Sequence, residues 1–306
     1  MSGALAADWP ERMRAAFDAN FASGVEVGAA VSVWKDDAEV LSLCGGWRDA
    51  ARSLPWEPDT MVLIWSATKG PASACVLHAL ERSGIPLEAR VAEFWPEFGR
   101  SGKESITVGQ VLSHRAGLGA LDAKDLSLLD HEGVTRAIER QTPLWTDGHG
   151  YGPRTFGFVA DEMVRRLAGG VTLGEYFRTH FGEPLDLDLW IGLPAEHNAR
   201  VAQMLAAKVS GCPEPDDAFT EALADPASLT RRAFATPGGV LGASAMNSPA
   251  VRGASLPSLG GIGSASSLAK FYAMLAAGGA WNGTHFFGAH TFAHMTRTLS
   301  QGYDKV

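Results

Sequence analysis

Residues 61–80 constrain the chain more than any other stretch. Met61-Val-Leu-Ile-Trp-Ser-Ala-Thr-Lys-Gly70 is an apolar run that delivers Ser66 and, three residues later, Lys69, with Pro71 following directly. The next nine residues, Ala72-Ser-Ala-Cys-Val-Leu-His-Ala-Leu80, are apolar on most sides, which predicts a helix buried at the centre of the molecule. Proline has no backbone N–H, so Gly70-Pro71 denies the next turn a donor and sets the Ser66–Lys69 turn apart from that helix.

The pair has a chemical purpose. Positions i and i+3 of a helical turn share a face, with Cβ atoms about 5–6 Å apart, so a lysine at the second reaches a hydroxyl at the first. A serine hydroxyl is a weak nucleophile until a neighbouring base takes its proton, and lysine is one such base. An unperturbed lysine is neutral in only about one molecule in 2,500 at pH 7. Burial or a nearby cation must therefore lower its pKa, or a third group must act. Ser267-Leu-Ala-Lys270 repeats the spacing. It lies in Ser264–Leu275, an amphipathic pattern with Lys270 on the solvated side, so Ser66 is the candidate nucleophile and Ser267 is not.

Length allows one large domain or two, and 46% hydrophobic against 20% charged residues is ordinary globular composition. With a net charge of -8 and only Arg165-Arg166 and Arg231-Arg232 as basic pairs, nucleic acid and anionic membranes are poor partners. Charge-free stretches such as 234–251 and 271–296 are interrupted by Gly, Ser, Asn or His, and none reads as a membrane helix. Cys44, Cys75 and Cys212 lack metal-ligand spacing and read as free thiols of a reducing compartment. The first ten residues show no basic segment followed by an apolar one, so the expected location is the cytoplasm. Gly-x-Ser-x-Gly, His-Glu-x-x-His and Cys-x-x-Cys are all missing. Neither a metal nor a cofactor is implied.

Along the chain, 9–21 reads as an amphipathic helix with Pro10 near its start, and 27–34 with 39–43 as a hairpin around Lys35-Asp-Asp-Ala38. Further helices are expected at 107–114, 156–168 and 172–181. Segments 213–217 and 237–257 read as long surface loops. These signals divide the chain into residues 1–71, the first part of a sheet domain; 72–280, mostly helical; and 281–306, a return towards the sheet.

Several segments, in order, resemble the serine β-lactamase superfamily, and within it the class C β-lactamase-like esterases called family VIII carboxylesterases. They are Trp65-Ser-Ala-Thr-Lys69, Val91–Phe98, Gly102-Lys103 with Ile106–Leu118, Trp145–Arg166 and Pro184-Leu-Asp-Leu187. The resemblance implies an α+β, β-lactamase/transpeptidase-like fold: an antiparallel sheet flanked by helices, plus a mostly helical domain. It also places a tyrosine on a loop facing the serine and lysine. Within Gly148–Gly157 that residue is Tyr151, and Pro153 stands where the family often has asparagine. Beside a Lys69 cation the phenol is expected to shift towards phenolate, which makes it a second candidate base; the two titrate as a coupled pair, and the sequence does not assign the proton between them. His114 is structural in the same resemblance. For Trp65, Trp145 and Trp281, core packing outweighs a place in an acyl pocket.

The family's third motif lies on a strand beyond the helix that Ser264–Leu275 resembles, and the sequence stops at Val306 before it; His131-Glu-Gly133 matches only in letters. The resemblance thus implies that C-terminal sheet strands are absent from these 306 residues, leaving a shortened enzyme or a sheet completed by another chain. The expected function is an esterase of the EC 3.1.1 class, cleaving short-chain, small-molecule esters through an acyl-enzyme on Ser66, with Lys69 and Tyr151 moving the proton. Weak β-lactam hydrolysis is compatible with it. The alternatives are a β-lactamase or D-alanyl-D-alanine peptidase, and a non-catalytic binding protein on the same fold. A homo-oligomer is left open.

Overall fold

The computed structural model describes residues 7–24, 26–206, 218–240 and 242–306. Helix α1 (Trp9–Ala22) starts on Pro10, and strands β1 (Gly28–Lys35) and β2 (Ala38–Gly46) form the expected antiparallel hairpin. Side chains alternate across a strand. Ala29, Val31, Val33, Leu41 and Leu43 turn to Phe17 and Phe21 of α1, whereas Trp34 turns the other way, edge-on to Trp281 at 5.7 Å. Helix α11 (Ala265–Ala276) covers that second face. The hairpin is thereby sandwiched between the first helix and one more than 200 residues later.

Strand β3 (Val62–Leu63) leads through a 3-10 turn, Trp65–Thr68, into helix α2 (Lys69–Arg82). The break expected from Gly70-Pro71 is not there: the 3-10 turn runs directly into α at Lys69, before Gly70, and Pro71 is the third residue of α2, where an N–H would have no intrahelical acceptor, so it is accommodated without interrupting the helix. Ala72, Ala74, Cys75 and Val76 are fully or almost fully buried. Short helices α3 (Val108–Leu112) and α4 (His131–Arg140) precede α5 (Thr155–Leu167), buried from Thr155 to Val164 and packed along α2. The tail of the 172–181 expectation changes character. After α6 (Leu173–Phe177) the chain widens into a π turn, Arg178–Gly182.

The second half contains β4 (Leu189–Ile191), α7 (Ala218–Ala224), α8 (Leu229–Ala235), α9 (Gly242–Met246), α10 (Pro249–Gly253) and β5 (Gly261–Gly263). It closes with the pair β6 (Ala280–Trp281) and β7 (Thr284–His285) and helix α12 (Ala289–Met295). Strands β3, β5 and β4 form a small antiparallel sheet with β5 central. Periodicity does not announce it, since alternation over two or three residues is no pattern.

The loop reading of 237–257 is corrected. The segment folds into α9 and α10 and buries Val240, Met246, Val251, Leu256 and the Arg252 side chain. Five-residue helices are too short to show a 3.6-residue period, whereas their apolar residues still pack. Residues 213–217 and Cys212 lie outside the described residues. Trp145 and Trp281 are buried as expected, but Trp65 is 39% exposed and belongs to no core. Among the described residues no helix is long and apolar enough to cross a membrane.

Candidate active site

The segment carrying Ser66 is stapled to the central strand of the small sheet. The Ile64 N–H donates to the Gly261 carbonyl at 2.9 Å, and the Gly261 N–H donates to Thr68 Oγ1 at 2.8 Å, while that hydroxyl donates to the Trp65 carbonyl at 2.5 Å. Trp65 itself has φ +48°. Such a conformation costs a non-glycine residue about 1–3 kcal/mol and persists only where surrounding contacts enforce it. The staple supplies them. The chain turns sharply out of β3, and Ser66 stands exposed at the bend.

Lys69 meets Ser66 as the spacing predicts, Nζ to Oγ at 3.3 Å. Its other two donors go to the carbonyls of Pro153 (3.0 Å) and Ser258 (2.8 Å). Burial brings its pKa down to about 7, the shift a lysine base requires. The Pro153 carbonyl offers Lys69 an acceptor from the position where the resembled family often has asparagine.

Tyr151 completes the group, its hydroxyl donating to Ser66 Oγ at 2.7 Å. The expected shift towards phenolate is overturned. Burial raises the Tyr151 pKa and outweighs the hydrogen bond with Ser66, and Lys69 Nζ lies 4.8 Å from the centre of the Tyr151 ring. The resting assignment is a neutral phenol beside a lysine that shares its proton with solvent near pH 7.

The other candidates fall away on their contacts. His114, in the left-handed region at φ +59°, accepts the Gly152 N–H on Nδ1 at 3.1 Å. Burial, with the Lys69 charge second, pulls its pKa down to about 4, so the ring is neutral and its acceptor nitrogen is engaged. Ser267 Oγ accepts the Asp188 N–H at 2.8 Å, and Lys270 Nζ lies 5.9 Å from the Trp34 and Trp281 rings. His131 heads α4 and faces Asp161 and Glu162. Among the described residues no three His, Cys, Asp or Glu side chains could hold a metal ion together.

Sequence reasoning misses the two carbonyls on Lys69, because every residue has one and none is marked by type. It also misses Gly261, which has no room for a side chain: a Cβ there would stand 2.5 Å from Thr68 Oγ1 and 3.1 Å from the Ile64 side chain. Gly261→Ala is expected to lower stability by about 1–3 kcal/mol through overpacking. It should also lower turnover in the fraction that remains folded, read by a denaturant melt beside active-site titration.

The sequence pattern of the family described as Beta-lactamase matches residues 14–306. The chain is 33% identical over 279 residues to "Esterase/beta-lactamase LipL" of Mycobacterium tuberculosis, covering 90% of this chain and 64% of that protein. It is 28% identical over 169 residues to "Esterase EstB" of Burkholderia gladioli, covering 53% and 39%. The chain thus spans less than two thirds of the length of these curated relatives. A crystal structure of a family VIII carboxylesterase superposes with a TM-score of 0.84 at 34% identity, over 100% of this chain and 79% of that one. A penicillin-binding protein homolog from Caulobacter crescentus gives 0.83 at 31% identity, over 99% and 79%.

Proposed function

We propose that this chain, which belongs to the beta-lactamase family, hydrolyses short-chain carboxylic esters through an acyl-enzyme on Ser66. The observation that carries the reading is the contact of Ser66 Oγ with both Lys69 Nζ, at 3.3 Å, and Tyr151 Oη, at 2.7 Å. The neutral Lys69 amine takes the Ser66 proton as Oγ attacks the ester carbonyl carbon, and the carbonyl electron pair moves to oxygen. Collapse expels the alcohol, which takes the Tyr151 proton, and the Lys69 ammonium restores that proton to Tyr151. Water then attacks the acyl carbon, giving a proton to Lys69. The acid leaves and the proton returns to Ser66.

Esters are favoured over lactams for two reasons. Both curated relatives carry esterase in their names, and Pro153 occupies the place of the asparagine expected of a β-lactamase. The name of the first relative also contains beta-lactamase, so slow lactam turnover by the same serine is the second reading. A reducing, cytoplasmic setting suits Cys44 and Cys75, which are free thiols. The test compares p-nitrophenyl butyrate with nitrocefin at pH 8. Faster ester turnover supports the reading, and faster nitrocefin turnover replaces it with a β-lactamase. Failure of a fluorophosphonate probe to label Ser66 would point instead to a binding protein on an inert fold.

A further inference from the structure

We propose that Asp304 is a positioning residue for this chemistry, holding the backbone of Tyr151 so that the phenol lies on Ser66. The inference rests on the reading of Ser66 as nucleophile. Tyr151 sits on an irregular segment between α4 and α5, with no ladder of its own to fix it. Its flanks are tied by the Gly150 N–H, which donates to the His114 carbonyl at 3.1 Å, and by Lys69 on the Pro153 carbonyl, and two side chains from distant parts of the chain hold the two amides between. The Tyr151 N–H donates to Asp304 Oδ1 at 3.0 Å, and the next amide, of Gly152, donates to His114 Nδ1 at 3.1 Å.

The Asp304 carboxylate is itself held. Its Oδ1 also accepts the Val306 N–H at 2.8 Å, its Oδ2 lies 3.9 Å from His149 Nε2, and the neighbouring Lys305 N–H donates to the His149 carbonyl at 3.0 Å. Lys305 Nζ reaches Asp147 at 3.5 Å. Residues 304–306 therefore run as a strap beside 147–151, bridged in parallel at His149 and Asp304. Beyond the backbone, the Tyr151 ring lies 5.0 Å from the His114 ring and 6.5 Å from Phe234. Neither contact restrains sliding of the main chain. An amide held by a carboxylate is held by a charge-assisted bond, roughly twice as strong as a neutral one. A shift of about 1 Å in a proton-transfer group is enough to lower a rate about 100-fold.

The test is hydrolysis of ethyl butyrate, whose leaving alcohol takes the Tyr151 proton, with fluorophosphonate labelling at Ser66 and melting temperature measured beside it. Asp304→Ala is expected to turn over about 10- to 100-fold more slowly. Asp304→Asn, which keeps an acceptor oxygen, should recover most of the loss. In a Tyr151→Phe background Asp304→Ala should add little, because the group it positions is gone. Wild-type labelling that is absent overturns the hydrolase reading and this inference with it. Normal turnover by Asp304→Ala overturns the inference alone. So does an equal loss in the Tyr151 and Phe backgrounds, which would make the strap a general scaffold. If Asp304→Ala does not fold, Asp304→Glu asks the same question: it keeps the charge, displaces the oxygens by one methylene, and should turn over slowly without a fall in melting temperature.

Discussion

Ester turnover by Ser66→Ala falls by about 10⁴-fold or more, the scale on which serine hydrolases lose activity with their nucleophile. Its stability stays within about 0.5 kcal/mol of wild type, as for other exposed substitutions. Both halves follow from one arrangement. Ser66 is exposed at the bend between β3 and α2, and its hydroxyl touches Lys69 and Tyr151 rather than the core. Lys69 keeps two carbonyl acceptors when Oγ is gone, so no buried ammonium is stranded. Steady-state hydrolysis and a thermal melt on the same preparation check both halves. Unchanged turnover would remove Ser66 from the reaction.

Lys69→Met loses about 10³-fold or more, and it also changes how the protein responds to pH. With a Lys69 pKa of about 7, wild-type kcat/KM rises close to tenfold per unit while pH is below 7, then levels off as the amine becomes neutral. The Tyr151 pKa is raised above its ordinary value of 10.0, so no alkaline fall from the phenol appears below about pH 10. A profile flat from pH 5 to 8 would exclude Lys69 as the base. Stability follows the same proton. The folded-state pKa lies below the unfolded one, so between about pH 7 and 10.5 the unfolded chain binds more protons and unfolding becomes harder as pH rises. Below pH 7 both states carry the proton and the contribution is flat. The stability of wild type relative to Lys69→Met should therefore grow with pH across that window, by up to about 1.4 kcal/mol per unit. Chemical denaturation at pH 6, 7.5 and 9 measures it.

What the sequence makes legible follows from length and from residue type. Helices α1, α2, α5 and α11 each run for 12 to 14 residues, long enough for a burial pattern to repeat. The hairpin alternates over strands of eight and nine residues. Strands β3, β4 and β5, with two or three residues each, have no such length, and neither have α9 and α10. In the site, Ser66 and Lys69 are visible because hydroxyl and amine stand at a marked spacing behind an apolar run, and Tyr151 because it is one of only four tyrosines and lies within a matched segment. The carbonyls of Pro153 and Ser258 are not, and the direction of the Tyr151 shift depends on burial that only the fold supplies.

The staple at Gly261 has a further consequence, for the order of events in synthesis. Gly261 lies 193 residues beyond the hydroxyl it donates to, and Ser258 lies 189 residues beyond the lysine it accepts from. Contacts of such separation are late to close, since the intervening chain must first surrender its freedom. A nascent chain that has emerged as far as Tyr151 already carries serine, lysine and tyrosine. It lacks the strand that bends the backbone at Trp65 and the oxygen that helps hold the lysine. The growing polypeptide thus has all three side chains long before it has the contacts that hold them together, and the last third of the chain decides when the cluster closes.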